Sequence, residues 1–177
     1  MSADWAEVYR TTFSDLVRYL YRKVWDAERA QDLAQEAFAR VLDRERRSGA
    51  AEEVENPRAL VFTVAANLAR DEARTVIRRK KHLALLKSDT EAGAPEEPDP
   101  VDQVQRDAER QAAQDALRKL SDRDREVLLL WDAGMSYEEI AAQTGLAQGA
   151  IGTTLSRARR RLVAAYETME GRHAARG

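Results

Sequence analysis

SYEEIAAQTGLAQGAIGTTLSRARRRL, residues 136–162, spells two helices joined by a tight turn. Ser136 and Glu139 have the spacing of a capping box, in which the hydroxyl accepts from the Glu139 backbone N–H and the carboxylate accepts from that of Ser136. The first helix covers about Tyr137 to Gln143 and turns Ile140 and Ala141 inward. Thr144-Gly145 ends it, because a sharp turn needs the positive φ that glycine adopts without a Cβ clash. The second helix starts near Gln148, with Ile151, Leu155, Ala158 and Leu162 in one stripe. Its other faces carry Thr153, Thr154, Ser156, Arg157, Arg159, Arg160 and Arg161 and no acid. A short helix, a glycine turn and a polar-to-basic second helix make a helix-turn-helix, whose second helix can enter a DNA major groove. The arginine run is also readable as a solvated face, so the rest of the chain has to decide.

A chain of 177 residues has room for one medium domain or two small ones. Charged residues make up 34% and hydrophobic ones 44%, a soluble profile. The net charge of −2 hides an uneven distribution: Arg and Lys gather near 70–87 and 157–161, acids near 89–102. Local patches, not net charge, set where phosphate binds. With no Cys, disulfides and thiolate metal sites are excluded, and no residue cluster calls for a metal or cofactor. There is no nucleophile–base pair or phosphate loop, so an enzyme is not expected. No long apolar run or signal peptide appears, which predicts a cytoplasmic protein without membrane insertion. The pattern is helical throughout, with neither strand alternation nor repeats.

Asp4 to Val24 reads as an amphipathic helix with Trp5, Val8, Tyr9, Phe13, Leu16, Val17, Leu20 and Val24 on one face. Asp26 to about Arg44 is a second helix, with Ala30, Leu33, Ala34, Ala37, Phe38, Val41 and Leu42 inside. Asp32, Gln35 and Glu36 lie largely outside that face, as plain solvated residues or as a docking surface for a protein partner. Glu45 to Glu55 is polar, contains Ser48-Gly49 and reads as a loop. Asn56 as cap and Pro57 at the first helical position start a third helix, which buries Leu60, Val61, Val64, Ala65 and Leu68. Its far end carries Arg70, Arg74, Arg78, Arg79, Lys80 and Lys81, more cations than a helix dipole needs, which points to phosphate tracking. Phe62 is the helix's one aromatic, expected in the core rather than stacked on a base.

From Lys87 to Asp102 the chain holds Pro95, Pro98 and Pro100 among acids and no base after Lys87, a composition that opposes a packed core. The expected fold is therefore all-α: a helical domain over 1–86, an acidic linker over 87–102, and a second helical domain over 103–168 that ends in the helix-turn-helix, with a frayed tail over 169–177. In the second domain Val104, Ala108, Ala112, Leu117 and Leu120 give one helix. Ser121 caps the next, with Asp124 in the capping-box position, Gly134 as its stop, and Val127, Leu128, Leu130 and Trp131 toward the core. His82 and His173 are isolated and carry no assigned role.

Two small helical domains, an acidic linker and a C-terminal helix-turn-helix resemble the bacterial RNA polymerase sigma factors of the sigma-70 family, extracytoplasmic-function group. DAERAQDLAQEAFARVL resembles that family's region-two helix that grips the β′ clamp coiled coil of polymerase. NPRALVFTVAANLARDEAR resembles the segment that follows it, and LRKLSDRDREVLLLWDAGMSYEEIAAQTGLAQGAIGTTLSRARRRL resembles region four. The resemblance implies core-polymerase contacts at Asp32, Leu33, Gln35, Glu36 and Phe38, with Leu33 and Phe38 serving mainly as core beneath the motif. It implies contacts with the −10 promoter element at Asn67, Asp71, Arg74, Arg78 and Arg79. The loop at 45–55 takes the place where the family captures a flipped-out base, whose unstacking costs on the order of a few kcal/mol. Gln148, Ala150, Thr153, Thr154 and Arg157 fall at groove-facing places for the −35 element, with Arg159, Arg160 and Arg161 on the DNA backbone. Region four also implies the β flap as partner, the linker a path toward the RNA exit channel, and the group a dedicated anti-sigma factor.

The chain departs from the family pattern in informative places. Gly152, Thr153 and Thr154 stand where members often carry Lys, Ser and Arg, which removes two groove-side cations. Arg-to-guanine reading is then less available, and a different −35 sequence is expected. Leu60 replaces a usual Trp as a core substitution, and with Phe62 as the helix's one aromatic, strand melting should be modest and promoter choice strict. The implied role is a promoter-specificity subunit for a stress or envelope-type regulon. The rival readings are a free-standing helix-turn-helix regulator, which would bind its operator without polymerase, and a helical adaptor, whose binding would not respond to charge reversal at 157–161.

Overall fold

The computed structural model describes residues 3–48, 54–86 and 100–174. Among them are seven helices and no strand: α1 (Trp5–Val24), α2 (Ala27–Ser48), α3 (Pro57–Leu86), α4 (Pro100–Arg118), α5 (Asp122–Asp132), α6 (Tyr137–Thr144) and α7 (Gln148–Ala174). Most of the expected linker, residues 49–53 of the loop expected over 45–55, and the side chains of Arg79, Lys80, Lys81, His82, Val104 and His173 lie outside the described residues.

Local chemistry sets the helix ends. The Asp4 carboxylate accepts from the N–H groups of Ala6 and Glu7 and caps α1. That helix stops at Trp25, which takes a left-handed conformation (φ 59°) and donates its N–H to Tyr21 O at 2.7 Å. A non-glycine residue pays about 1–2 kcal/mol for that backbone. The Trp25 ring, packed 5.7 Å from that of Tyr21, and the Arg110 guanidinium on its carbonyl hold it there. Asn56 and Pro57 start α3 as the sequence indicates, with Asn56 Oδ1 accepting from the Ala59 N–H at 2.9 Å. Ser136 and Glu139 close the expected capping box of α6, and Gly145 ends it at φ 72°.

Helices α1–α3 pack around Leu16, Leu20, Leu33, Ala37, Val61 and Ala65. Helices α4–α7 pack around Val127, Leu130, Ile140, Ile151 and Leu155. The two bundles also touch, α1 on α5 and α3 on α6, and one apolar cluster runs through both. Polar contacts seal the junction. Tyr19 donates its hydroxyl to Glu126 Oε1 at 2.5 Å, and Lys23 pairs with the same carboxylate. Asn56 Nδ2 donates to Glu139 Oε1 at 2.8 Å, and Arg58 Nη2 donates to Ala133 O at 2.5 Å and to Asp15 Oδ2 at 3.3 Å. Burial first, and then the charge of Glu126, push the Tyr19 hydroxyl well above the usual tyrosine range, so it stays protonated as a donor.

Several expectations change. Residues 45–48, read as loop, continue α2, whose last turns carry the pairs Glu36–Arg40 and Asp43–Arg47 at the helical i,i+4 spacing. Tyr9 remains 43% exposed at the edge of its stripe, stacked 4.6 Å from Phe13 and edge-on to Phe38 at 4.9 Å. Ala108 is exposed. Trp131 does not join the core: it is 40% exposed, and the Arg159 guanidinium lies 3.9 Å from its ring centroid. At the last turn of α5 the indole instead takes up a cation–π contact with Arg159 at the surface.

Candidate functional site

Three surfaces carry the residues singled out in the sequence. On α2, Asp32 and Gln35 are exposed and Glu36 is half-buried, while Leu33 (1% exposed) and Phe38 (3%) lie in the core beneath. Leu33 and Phe38 therefore hold the surface rather than form it. Arg29 donates to Glu72 of α3 through Nε at 2.9 Å and Nη2 at 2.8 Å, which ties the acidic face of α2 to α3. Glu36 is paired with Arg40 at 2.6 Å, and Asp32 lies 3.9 Å from Arg29.

On α3, Asn67, Asp71, Arg74 and Arg78 are all exposed. Arg70 Nη1 donates to Asn67 Oδ1 at 2.9 Å, and Arg74 lies 3.7 Å from Asp71. Asn67 and Arg70 also line a polar cleft of about 240 Å³ between the bundles, whose far wall is Arg123, Glu126, Gln143 and Thr144. The set expected at the −10 element is thus split. Asn67 faces the cleft, and Asp71, Arg74 and Arg78 lie beyond the cleft lining.

On α7, Gln148 and Thr153 are exposed and Ala150 is partly so. Thr154 is 5% exposed, so it is not groove-facing. The cause is periodicity: 151, 154, 155 and 158 are spaced i, i+3, i+4, i+7, which puts Thr154 on the buried stripe. Arg160 is exposed, with Nε 3.4 Å from Ser156 O. Arg157 and Arg161 both reach Asp124 on α5. Their guanidinium groups hold that carboxylate below the usual range, Arg157 foremost and against the opposing effect of burial. An apolar groove of about 520 Å³ opens nearby between α4, α5 and α7, lined by Ala113, Leu117, Leu128, Trp131, Leu162 and Val163 among others.

Sequence reasoning missed Asp124, Glu126, Arg58 and Tyr19. Each acts on a partner from another helix, and no local pattern announces that. The nearest signal was an acid at the third position of α5 where a capping box was expected; the Ser121 hydroxyl does accept from the Asp124 N–H, but the carboxylate turns to α7. Among the described residues no group of His, Asp and Glu could hold a metal, and no helix is long and apolar enough to cross a membrane.

Comparison with known proteins accounts for this layout. Residues 8–79 match the family model described as sigma-70 region 2, and residues 110–162 match sigma-70 region 4. The ECF RNA polymerase sigma factor SigL of Mycobacterium tuberculosis is 33% identical over 148 residues, 83% of this chain and 80% of that one. The ferric citrate uptake sigma factor FecI of Escherichia coli is 28% identical over 158 residues, 89% and 87% of the two chains. Among solved structures, the sigma factor RpoE of Bartonella quintana, in complex with the anti-sigma factor NepR, superimposes with a TM-score of 0.65 at 25% identity over 93% of this chain and 97% of that one. Sigma factors are non-enzymatic subunits of transcription initiation, in keeping with a chain built of binding surfaces. This protein belongs to the extracytoplasmic-function group of the sigma-70 family of RNA polymerase sigma factors.

Proposed function

We infer that this sigma factor docks on core RNA polymerase through the outer face of α2, with Asp32, Gln35 and Glu36 toward the β′ clamp coiled coil, and directs it to promoters of a stress or envelope-type regulon. Residues 1–86 serve as the polymerase and −10 domain, with Asn67, Asp71, Arg74, Arg78 and Arg79 on the opened strand. Residues 103–168 serve as the −35 domain, joined by the 87–102 linker. The N-terminal turns of α7 enter the major groove through Gln148, Ala150 and Thr153, and Arg157, Arg160 and Arg161 track phosphates. The groove between α4, α5 and α7 suits the β flap. A dedicated anti-sigma factor holds the protein inactive, a reading that the RpoE–NepR complex supports.

The observation that carries this reading is the split of the α2 motif, with Leu33 and Phe38 buried and Asp32 and Gln35 exposed on one helix. A merely structural helix has no need of an acidic outer face held in place by Arg29 and Glu72. The test is affinity for core polymerase of the wild type, the double variant Asp32→Arg/Glu36→Arg, and Arg157→Ala. The reading expects tight wild-type binding, at least tenfold weaker binding by the double variant, and no change in Arg157→Ala. Tight binding to duplex DNA with no affinity for core enzyme would replace it with a free-standing regulator.

A further inference from the structure

Asp124 is 1% exposed, yet it is charged and fully used. Its Oδ1 accepts from Arg157 Nη2 at 2.6 Å, and its Oδ2 accepts from Arg161 Nη1 at 2.8 Å and from Arg157 Nε at 3.3 Å. The two arginines stand one turn apart on α7, and their side chains stay 44% and 57% exposed. Engaged in this way, Arg157 keeps Nη1, and Arg161 keeps Nε and Nη2, as donors for a ligand. A free arginine on a helix samples many rotamers and must be ordered when it meets a phosphate. Here the ordering is done in advance by a carboxylate anchored in the first turn of a neighbouring helix. The same carboxylate offsets part of the two positive charges, which weakens attraction to any duplex regardless of its sequence.

We propose that Asp124 is a positioning residue for promoter recognition: it presets Arg157 and Arg161 as a phosphate-gripping pair that fixes the register of α7 on the −35 duplex, at the expense of indiscriminate DNA affinity. The proposal rests on the placement of α7 in the −35 major groove given above. Arg157 then tracks the backbone, and base reading falls to the exposed N-terminal turn, Gln148 and Thr153. Phosphate contacts carry no sequence information themselves, but a preset grip lets only one register bring those two residues to their bases.

The test uses holoenzyme assembled from core polymerase and the full chain, and a duplex recovered by selection from a random −35 library. Asp124→Asn keeps the size of the side chain and removes its charge. The expected result is a fall of about tenfold in discrimination between the selected and a scrambled duplex, with affinity for the scrambled duplex unchanged or raised. In an Arg157→Ala background the same substitution should change discrimination by less than about twofold. Arg157→Lys, which keeps the charge but loses the planar fork, should lose discrimination as Asp124→Asn does, and it decides the matter if Asp124→Asn fails to fold. An equal loss on both duplexes, an undiminished effect of Asp124→Asn without Arg157, or full discrimination by Arg157→Lys would overturn the proposal. Failure of the wild-type holoenzyme to prefer any −35 duplex would instead sink the placement of α7 itself.

Discussion

Asp124 and Glu139 both occupy the third position of their helices, each following a capping serine, and they end in different places. Glu139 reaches back to the Ser136 N–H at 2.7 Å and completes its box. The Asp124 side chain, one methylene shorter, is drawn across to Arg157 and Arg161. Burial pushes the Glu139 carboxyl up, but the Ser136 N–H, Asn56, the Ser136 hydroxyl and Arg58 together hold it below the usual range. Both carboxylates thus have a lower pKa folded than unfolded. Their contribution is fully present above the unfolded value of about 4 and is lost as pH falls through the folded one. We expect the melting temperature to fall on acidification below about pH 4, and the acid limb to flatten in Asp124→Asn; a circular-dichroism pH series would show it. Ser136→Ala should cost about 1 kcal/mol. For a chain of this size that lowers the melting temperature by about 2–4 °C. The Ser136 box was legible in the sequence because all its partners lie within four residues. The Asp124 cluster was not, because its donors lie 33 and 37 residues away.

At the scale of the helix, periodicity was informative wherever one face alone is buried. The α2 and α7 stripes follow it, down to Thr154, which obeys the period that a residue-by-residue assignment to the groove overlooked. Thr154→Val should leave discrimination at −35 unchanged, while Thr153→Val should alter it; a competition assay with base-substituted duplexes separates the two. Helix α3 is the instructive failure. The stripe Leu60, Val61, Val64, Ala65 and Leu68 was readable, and Phe62 was favoured for the core and is buried, yet Ala66 and Ala69, off the stripe, are buried too, at 3% and 5% exposure. Phe62 packs edge-on to Tyr19 at 5.4 Å under the Arg58 guanidinium, and Gln143 of α6 reaches its carbonyl at 3.4 Å. This second buried face on α3 is covered by α1, through Tyr19, and by α6, and a single-helix pattern carries no trace of those partners. Phe62→Ala should cost about 3–5 kcal/mol in denaturant unfolding. Ile77→Ser, at a position 54% exposed on the same helix, should stay within about 0.5 kcal/mol.

For the whole molecule, the junction of the two bundles could not be foreseen, since nothing in the composition of 87–102 favours a closed arrangement over an extended one. It is sealed by few groups, and Glu126 serves two of them, Tyr19 and Lys23. Removing that carboxylate leaves a buried tyrosine hydroxyl without its acceptor, a penalty of about 1–3 kcal/mol that parting the bundles relieves. Glu126→Ala should therefore shift the closing equilibrium toward the open form by about 5- to 150-fold. Small-angle scattering would report this as growth in the radius of gyration beyond the roughly 16 Å of a compact chain this long. Asn67 and Arg70 line the cleft and face solvent, so on the −10 reading proposed above an opened strand gains freer access to them in molecules whose bundles have parted. If the open form alone binds promoter, the apparent dissociation constant for every promoter is raised by the same factor, the inverse of the open fraction. A common factor leaves the ranking of promoters untouched, yet at a fixed number of molecules per cell it silences the weak ones first. On that reading the hydroxyl–carboxylate contact between Tyr19 and Glu126 would work as a high-pass filter on the genome, setting how good a promoter must be before it is heard at all.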